Sequence, residues 1–133
     1  MNYVLWIAQA LLALEFLFAG GVKLVVPYEE LMKGFPVAFP AWFIHFIGVC
    51  EVLGGIGVVL PSVLRIKPGL TPLAATGLVV IMIGAVTVSV VYTGAATAIV
   101  PFVTGVVAAF VAYGRWRIAP IAARSSPPAV QVR

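Results

Sequence analysis

The sequence predicts an all-α membrane protein, an antiparallel bundle of four transmembrane helices at about 3–26, 41–60, 70–92 and 97–117. Three observations predict it. Apolar runs recur four times, each close to the roughly 20 residues that a bilayer core requires. Only 9% of the residues are charged and 63% are hydrophobic, whereas a soluble domain carries roughly a quarter charged residues, so most of the surface must face lipid. The basic residues sit in short loops and at the C-terminal flank, so the net charge of +4 reads as membrane topology and not as a nucleic-acid footprint.

The first span runs unbroken from Tyr3 to Val26, where Pro27 ends it by removing a backbone donor and restricting its predecessor. Asn2 is placed to cap its start, and Tyr3, Trp6 and Tyr28 suit the two membrane interfaces. No Lys or Arg precedes Glu15 in this run, so a cleaved signal peptide is not expected. Residues 27–40 mix Glu29, Glu30 and Lys33 with Pro27, Phe35, Pro36, Phe39 and Pro40. That composition predicts a connection lying on the membrane surface, with a short amphipathic helix through Glu29–Lys33.

The second span starts at Ala41 or Trp42 and is expected to reach Leu60, stopped by Pro61. Its Gly48, Glu51 and Gly55 fall at i, i+3, i+7 and share one face, where small residues admit the close approach of another helix. Arg65, Lys67 and Pro68 form a basic loop. The third span covers Leu70 to Tyr92, Thr93–Ala96 makes a tight turn, and the fourth span carries Pro101 near its start with Thr104 and Gly105 deeper. The domain reading is one transmembrane unit over residues 1–118, followed by a flexible cytoplasmic tail over 119–133. Six of the eight basic residues, Arg65, Lys67, Arg115, Arg117, Arg124 and Arg133, lie on one side, which predicts cytoplasmic N- and C-termini in a cell (inner) membrane.

Polar residues within the spans carry the functional question. Glu15 and Glu51 are carboxyls at membrane depth, where an ionisable group is expensive and is a functional-site hypothesis by default. At 1.5 Å per residue they lie about 16 and 13 Å from the same outer surface, on sequential helices. They are the candidate catalytic pair. Lys23, His45, Thr87 and Thr104 fall in the same outer half and are the candidate lining of a pocket open to the outside. Each also has a plainer reading. Lys23 reads more simply as an interfacial snorkelling residue, Thr87 and Thr104 as hydroxyls bonded back to their own helices, and Arg115 and Arg117 as the cytoplasmic anchor. The inner half holds almost nothing polar beyond Gln9 and Thr76. The single Cys50 excludes an internal disulfide or a CxxC pair, and without a Glu-x-x-His pairing no metal site is expected. No phosphate-binding glycine loop or nucleophile elbow is present.

Three segments together resemble the DoxX-like family of small four-helix membrane proteins. They are Phe16-Leu17-Phe18-Ala19-Gly20-Gly21-Val22-Lys23-Leu24, Ile47-Gly48-Val49-Cys50-Glu51-Val52-Leu53-Gly54-Gly55 with Pro61, and Ala109-Phe110-Val111-Ala112-Tyr113-Gly114-Arg115-Trp116. The stretch Leu70–Ala75, followed by Ile83-Gly84-Ala85, fits the same pattern. The resemblance places Glu51 at the family's acidic position in helix two, and Ala19, Gly20 and Lys23 at its Ala-Gly-x-x-Lys ending, without assigning them a catalytic role. It implies a modest range of functions. The wider group includes a small membrane subunit of a thiosulfate:quinone oxidoreductase, a component of an oxidative-stress complex, and receptors or chaperones for other proteins. The expected function is therefore an accessory or redox-linked membrane component, with quinone as the candidate cofactor. Redox or other membrane proteins, or a lipophilic small molecule, would be its partners beside the bilayer. The alternatives are a stand-alone enzyme using Glu15 and Glu51 as acid and base on a lipophilic substrate, of the isomerase or epoxide hydrolase type, and an assembly or chaperone protein docking through the Gly48/Gly55 face.

Overall fold

In lipid every backbone polar group has to be satisfied within the chain, and a helix does this locally. The computed structural model, which describes residues 2–35 and 38–123, is helical wherever the sequence is continuously apolar. Its helices are α1 (Asn2–Val25), α2 (Tyr28–Met32), α3 (Ala41–Gly57), α4 (Leu60–Leu64), α5 (Leu70–Tyr92) and α6 (Ile99–Tyr113). A 3-10 turn at Ala95–Ala98 leads into α6 and a π-helical turn at Gly114–Ile118 extends it. Four stretches are long and apolar enough to cross a membrane: Asn2–Val25, Ala41–Leu64, Leu70–Tyr92 and Ala95–Ile118, of 24, 24, 23 and 24 residues. The β-branched runs of α5, such as Val79-Val80-Ile81, form poor helices in water. Here the lipid requirement overrides that preference.

The spans form a ring in which α1 packs chiefly on α3 and α5 on α6, with α3–α5 and α1–α6 contacts closing it. Each helix turns one stripe inward: Leu5, Gln9, Leu12, Phe16 and Gly20 on α1; Ile44, Gly48, Glu51 and Gly55 on α3; Thr71, Ala75, Leu78 and Met82 on α5; Thr104, Ala108 and Val111 on α6. These positions recur every three or four residues, as a helix face must. Phe18, Val25, Trp42, Leu53, Val80, Ile83, Val90 and Phe102 point outward, where acyl chains solvate them. Contacts along α1 and α3 step in opposite senses, from Gly20 against Gly48 to Gln9 against Val58.

The expected close approach at Gly48 and Gly55 is made within the chain. A Cβ on Gly20 would lie 2.6 Å from the Gly48 carbonyl oxygen, and one on Gly55 would lie 3.3 Å from the Ala13 carbonyl oxygen. The face proposed for docking a foreign helix is therefore covered by α1.

Pro61 acts differently from the expectation. It sits in the first turn of α4, where its missing N–H is needed by no helical bond, and the second span continues through it to Leu64. The break falls earlier, after Gly57, whose carbonyl loses its i+4 donor to the proline. In the connection before α3, the Tyr28 hydroxyl donates to the Phe39 carbonyl, and Phe39 packs edge-on to Phe35 and stacks on Phe43 in the first turn of α3. Arg124–Arg133, most of the expected tail, lies outside the described residues.

Gly20 and Gly21 give a paired test of the α1–α3 crossing. Gly20→Ala, forced against backbone atoms, should cost about 1–3 kcal/mol. Gly21→Ala meets nothing within 4 Å and should be neutral or slightly stabilising. Thermal unfolding in detergent measures both; equal melting of the two variants would contradict the tight crossing.

Candidate functional site

The membrane-buried polar groups separate into two clusters, one toward each end of the bundle. In the half nearer the 27–40 connection, Lys23 follows Gly20 by one turn and so continues the buried stripe of α1. Its Nζ meets both Glu51 oxygens, at 2.9 and 3.1 Å. Glu51 is only 3% exposed, and the Lys23 side chain is largely covered. Gly48, one turn before Glu51, makes the room: a Cβ there would lie 3.0 Å from the Lys23 Cβ. Lys23 therefore does not snorkel. It is the partner of Glu51, in a setting where a lone charge would be costly.

Glu15 has a different environment. It lies one residue before Phe16, about 100° round α1 from the buried stripe, and is exposed on the bundle surface. The buried Thr104 donates to its Oε1 at 2.8 Å, linking α1 to α6. Thr104 thus forms an interhelical bond in place of the expected bond to its own helix, and leaves the second Glu15 oxygen uncommitted to it. The two glutamates are held by separate partners and do not bond each other.

The remaining candidates do not join them. His45 is exposed beside Trp42 and Phe46. Thr87 is exposed and donates to the Ile83 carbonyl at 2.8 Å, as its plainer reading has it. It lines an apolar cleft of about 330 Å³ between α5 and α6, with Met82, Ile83, Pro101, Phe102 and Gly105. That cleft includes none of Glu15, Lys23, His45 or Glu51.

The opposite, basic end overturns the expectation that it lacks polar groups. Gln9 is fully buried on α1, and its Nε2 donates to the Val58 carbonyl at 2.5 Å and to Ser62 Oγ at 3.4 Å. Ser62 in turn shares a 2.7 Å hydrogen bond with Thr71. The Val58 carbonyl is available because the helix is interrupted there. Arg115, 3% exposed, turns inward: its Nε donates to Gln9 Oε1 at 2.6 Å, and its Nη1 to Asn2 Oδ1 at 2.6 Å and the Ala119 carbonyl at 2.9 Å. Its guanidinium also lies 5.0 Å from the centre of the Trp6 ring, close enough for a cation–π contact. An arginine can only donate, so Gln9 has to present its oxygen to Arg115 and its NH₂ to Val58 and Ser62.

Arg115 is thus the keystone of a network over all four spans, not an interfacial anchor. Asn2 serves Arg115 and makes no cap. The clue was available: Thr104, Ala108, Val111 and Arg115 fall at i, i+4, i+7, i+11, one helical face.

The chain matches the DoxX-like family over residues 7–111. No curated protein and no solved structure matches it.

The Lys23–Glu51 pair has a stability signature of its own. Lys23→Met or Glu51→Gln alone leaves an uncompensated buried group and should cost about 3–5 kcal/mol. The double variant should recover much of that loss, because removing both partners also removes their desolvation penalty. Thermal melts of the three variants measure the coupling; strictly additive losses would mean that the pair contributes no coupling energy.

Proposed function

The chain belongs to the DoxX-like family, and from that membership we propose that it is an accessory, redox-linked component of the cell membrane that engages a quinone from the lipid phase. It is a multi-pass membrane protein, with four spans. The proposal sets its basic end and both termini on the cytoplasmic side, following the positive-inside asymmetry of Arg65, Lys67, Arg115 and Arg117.

The observation that carries this reading is Glu15. A carboxyl on the lipid-facing surface of α1, fixed by one hydroxyl from Thr104, is open to a ligand that arrives by lateral diffusion in the bilayer. A quinol hydroxyl can donate to such a group, and a quinone oxygen can take a proton from it. Thr104 and Gly105 are consecutive, so the carboxyl and the apolar α5–α6 cleft lie on neighbouring faces of α6. That cleft offers room for an apolar tail. The chain contributes hydrogen bonding and proton exchange, and the electrons belong to a redox partner protein. The stand-alone acid–base reading gains less support, since Glu51 commits both oxygens to Lys23. Docking through the Gly48/Gly55 face gains none, since α1 covers it.

Lipid-depleted protein in nanodiscs should bind a short-tailed quinone saturably. Glu15→Gln keeps an oxygen for Thr104 but removes the ionisable group, and should weaken binding about tenfold, the equivalent of one good hydrogen bond. Absence of saturable binding, or equal affinity in the variant, would sink the quinone proposal.

A further inference from the structure

The basic end carries a buried positive charge that the described residues do not neutralise. Of the five N–H donors of Arg115, the three on Nε and Nη1 are used, and both on Nη2 are left over. Nη2 is a buried nitrogen without a hydrogen-bond partner among the described residues. The acceptors that Arg115 does have, Gln9, Asn2 and the Ala119 carbonyl, are all neutral. The chain has only four acidic side chains: Glu15 and Glu51 sit in the other half of the bundle, and Glu29 and Glu30 lie beyond it. A buried guanidinium is normally matched by an anion, since leaving a buried charge unpaired costs several kcal/mol.

Beside it lies a cleft of about 590 Å³ whose walls include Asn2, Trp6, Ser62, Arg65 and Ala119. Asn2 and Ala119 are the residues that hold Arg115 Nη1, and Trp6 is the ring under its guanidinium, so Arg115 lies behind this wall without itself lining the cleft. Arg65 stands at the exposed side, where its Nε donates to the Ala122 carbonyl at 3.0 Å. Its backbone is left-handed, with φ 56°, a conformation that glycine would adopt at lower cost. The cleft therefore has a cationic mouth at Arg65 and a buried cation behind its Asn2 and Ala119 wall, with Trp6, Val63 and Ile121 as apolar wall.

We propose that this cleft binds an anionic phosphate group, held by the guanidinium of Arg65 and attracted by the charge of Arg115 behind the Asn2 and Ala119 wall, in the manner of an acidic phospholipid headgroup at a membrane-facing basic pocket. Planar guanidinium groups suit phosphate oxygens, because their N–H donors match them in pairs. The apolar wall is placed to accept the start of an acyl chain.

The test uses the full chain, stripped of lipid in an uncharged detergent. It is titrated separately with phosphatidylglycerol, with phosphatidylcholine and with inorganic phosphate, and thermal stabilisation and native mass spectrometry report occupancy. Phosphatidylglycerol should saturate at a concentration at least about tenfold below phosphatidylcholine, a ratio worth one charge-assisted contact. Saturation by millimolar inorganic phosphate would also support the site and identify its ligand as a soluble anion.

Arg65→Gln alters an exposed side chain, and should raise the half-saturating phosphatidylglycerol concentration roughly tenfold while phosphatidylcholine changes little. Arg115→Gln removes the charge behind the wall and should reduce the same selectivity, whereas a purely structural role for Arg115 would lower melting equally in every lipid. Equal response to both lipids with no response to phosphate overturns the proposal. So does a phosphatidylglycerol preference that survives Arg65→Gln.

Discussion

Inside a bilayer there is no water to complete an unfinished hydrogen bond, and this constraint decides the arrangement of every polar side chain within the spans. Gln9 shows it most directly. A buried amide needs both acceptors and a donor, and this one obtains them from two other spans, the Val58 carbonyl and Ser62 on the second and Arg115 on the fourth, while Ser62 carries the network on to Thr71 of the third. Apolar stripes are interchangeable in lipid, because the acyl chains are as good a partner as another helix. The polar contacts are not interchangeable, and they fix which helix lies beside which and at what register. The break after Gly57 belongs to the same arrangement, since it supplies the carbonyl that Gln9 takes.

The two ends of the bundle solve the problem differently. Near the 27–40 connection the chain brings its own counter-charge, Lys23 to Glu51, across a crossing made tight by Gly20 and Gly48. At the basic end it satisfies three donors of Arg115 with neutral groups and leaves the charge itself to its surroundings. Glu15 belongs to neither arrangement. It stands on the surface, held by the hydrogen bond from Thr104.

Much of this was legible in the residues. Apolar run lengths gave the four spans, and the i, i+3, i+7 spacing of Gly48, Glu51 and Gly55 marked a buried face, although not that α1 would cover it. Three residues depart from their sequence expectation for identifiable physical reasons. Lys23 sits near the end of its span, where a lysine usually snorkels, but its partner Glu51 lies across the crossing on α3. Arg115 lies near the end of a span, where arginines usually anchor, but the face it shares with Thr104 and Ala108 turns it inward. Pro61 at the end of an apolar run suggests a stop, yet a proline is as suited to the first turn of a new helix as to the end of an old one. Depth could be calculated from sequence; which way a side chain faces needed the stripe on each helix, and partners needed the packing.

The near-equal lengths of the four spans, 24, 24, 23 and 24 residues, have a mechanical consequence. At 1.5 Å per residue each measures about 35 Å, slightly more than the roughly 30 Å hydrocarbon layer of an average membrane. The excess is shared, so a thinner or thicker bilayer presents the same mismatch to every helix. The bundle can answer by leaning as one body, without sliding one helix past another. Its internal register is thereby insulated from the thickness of the membrane that holds it.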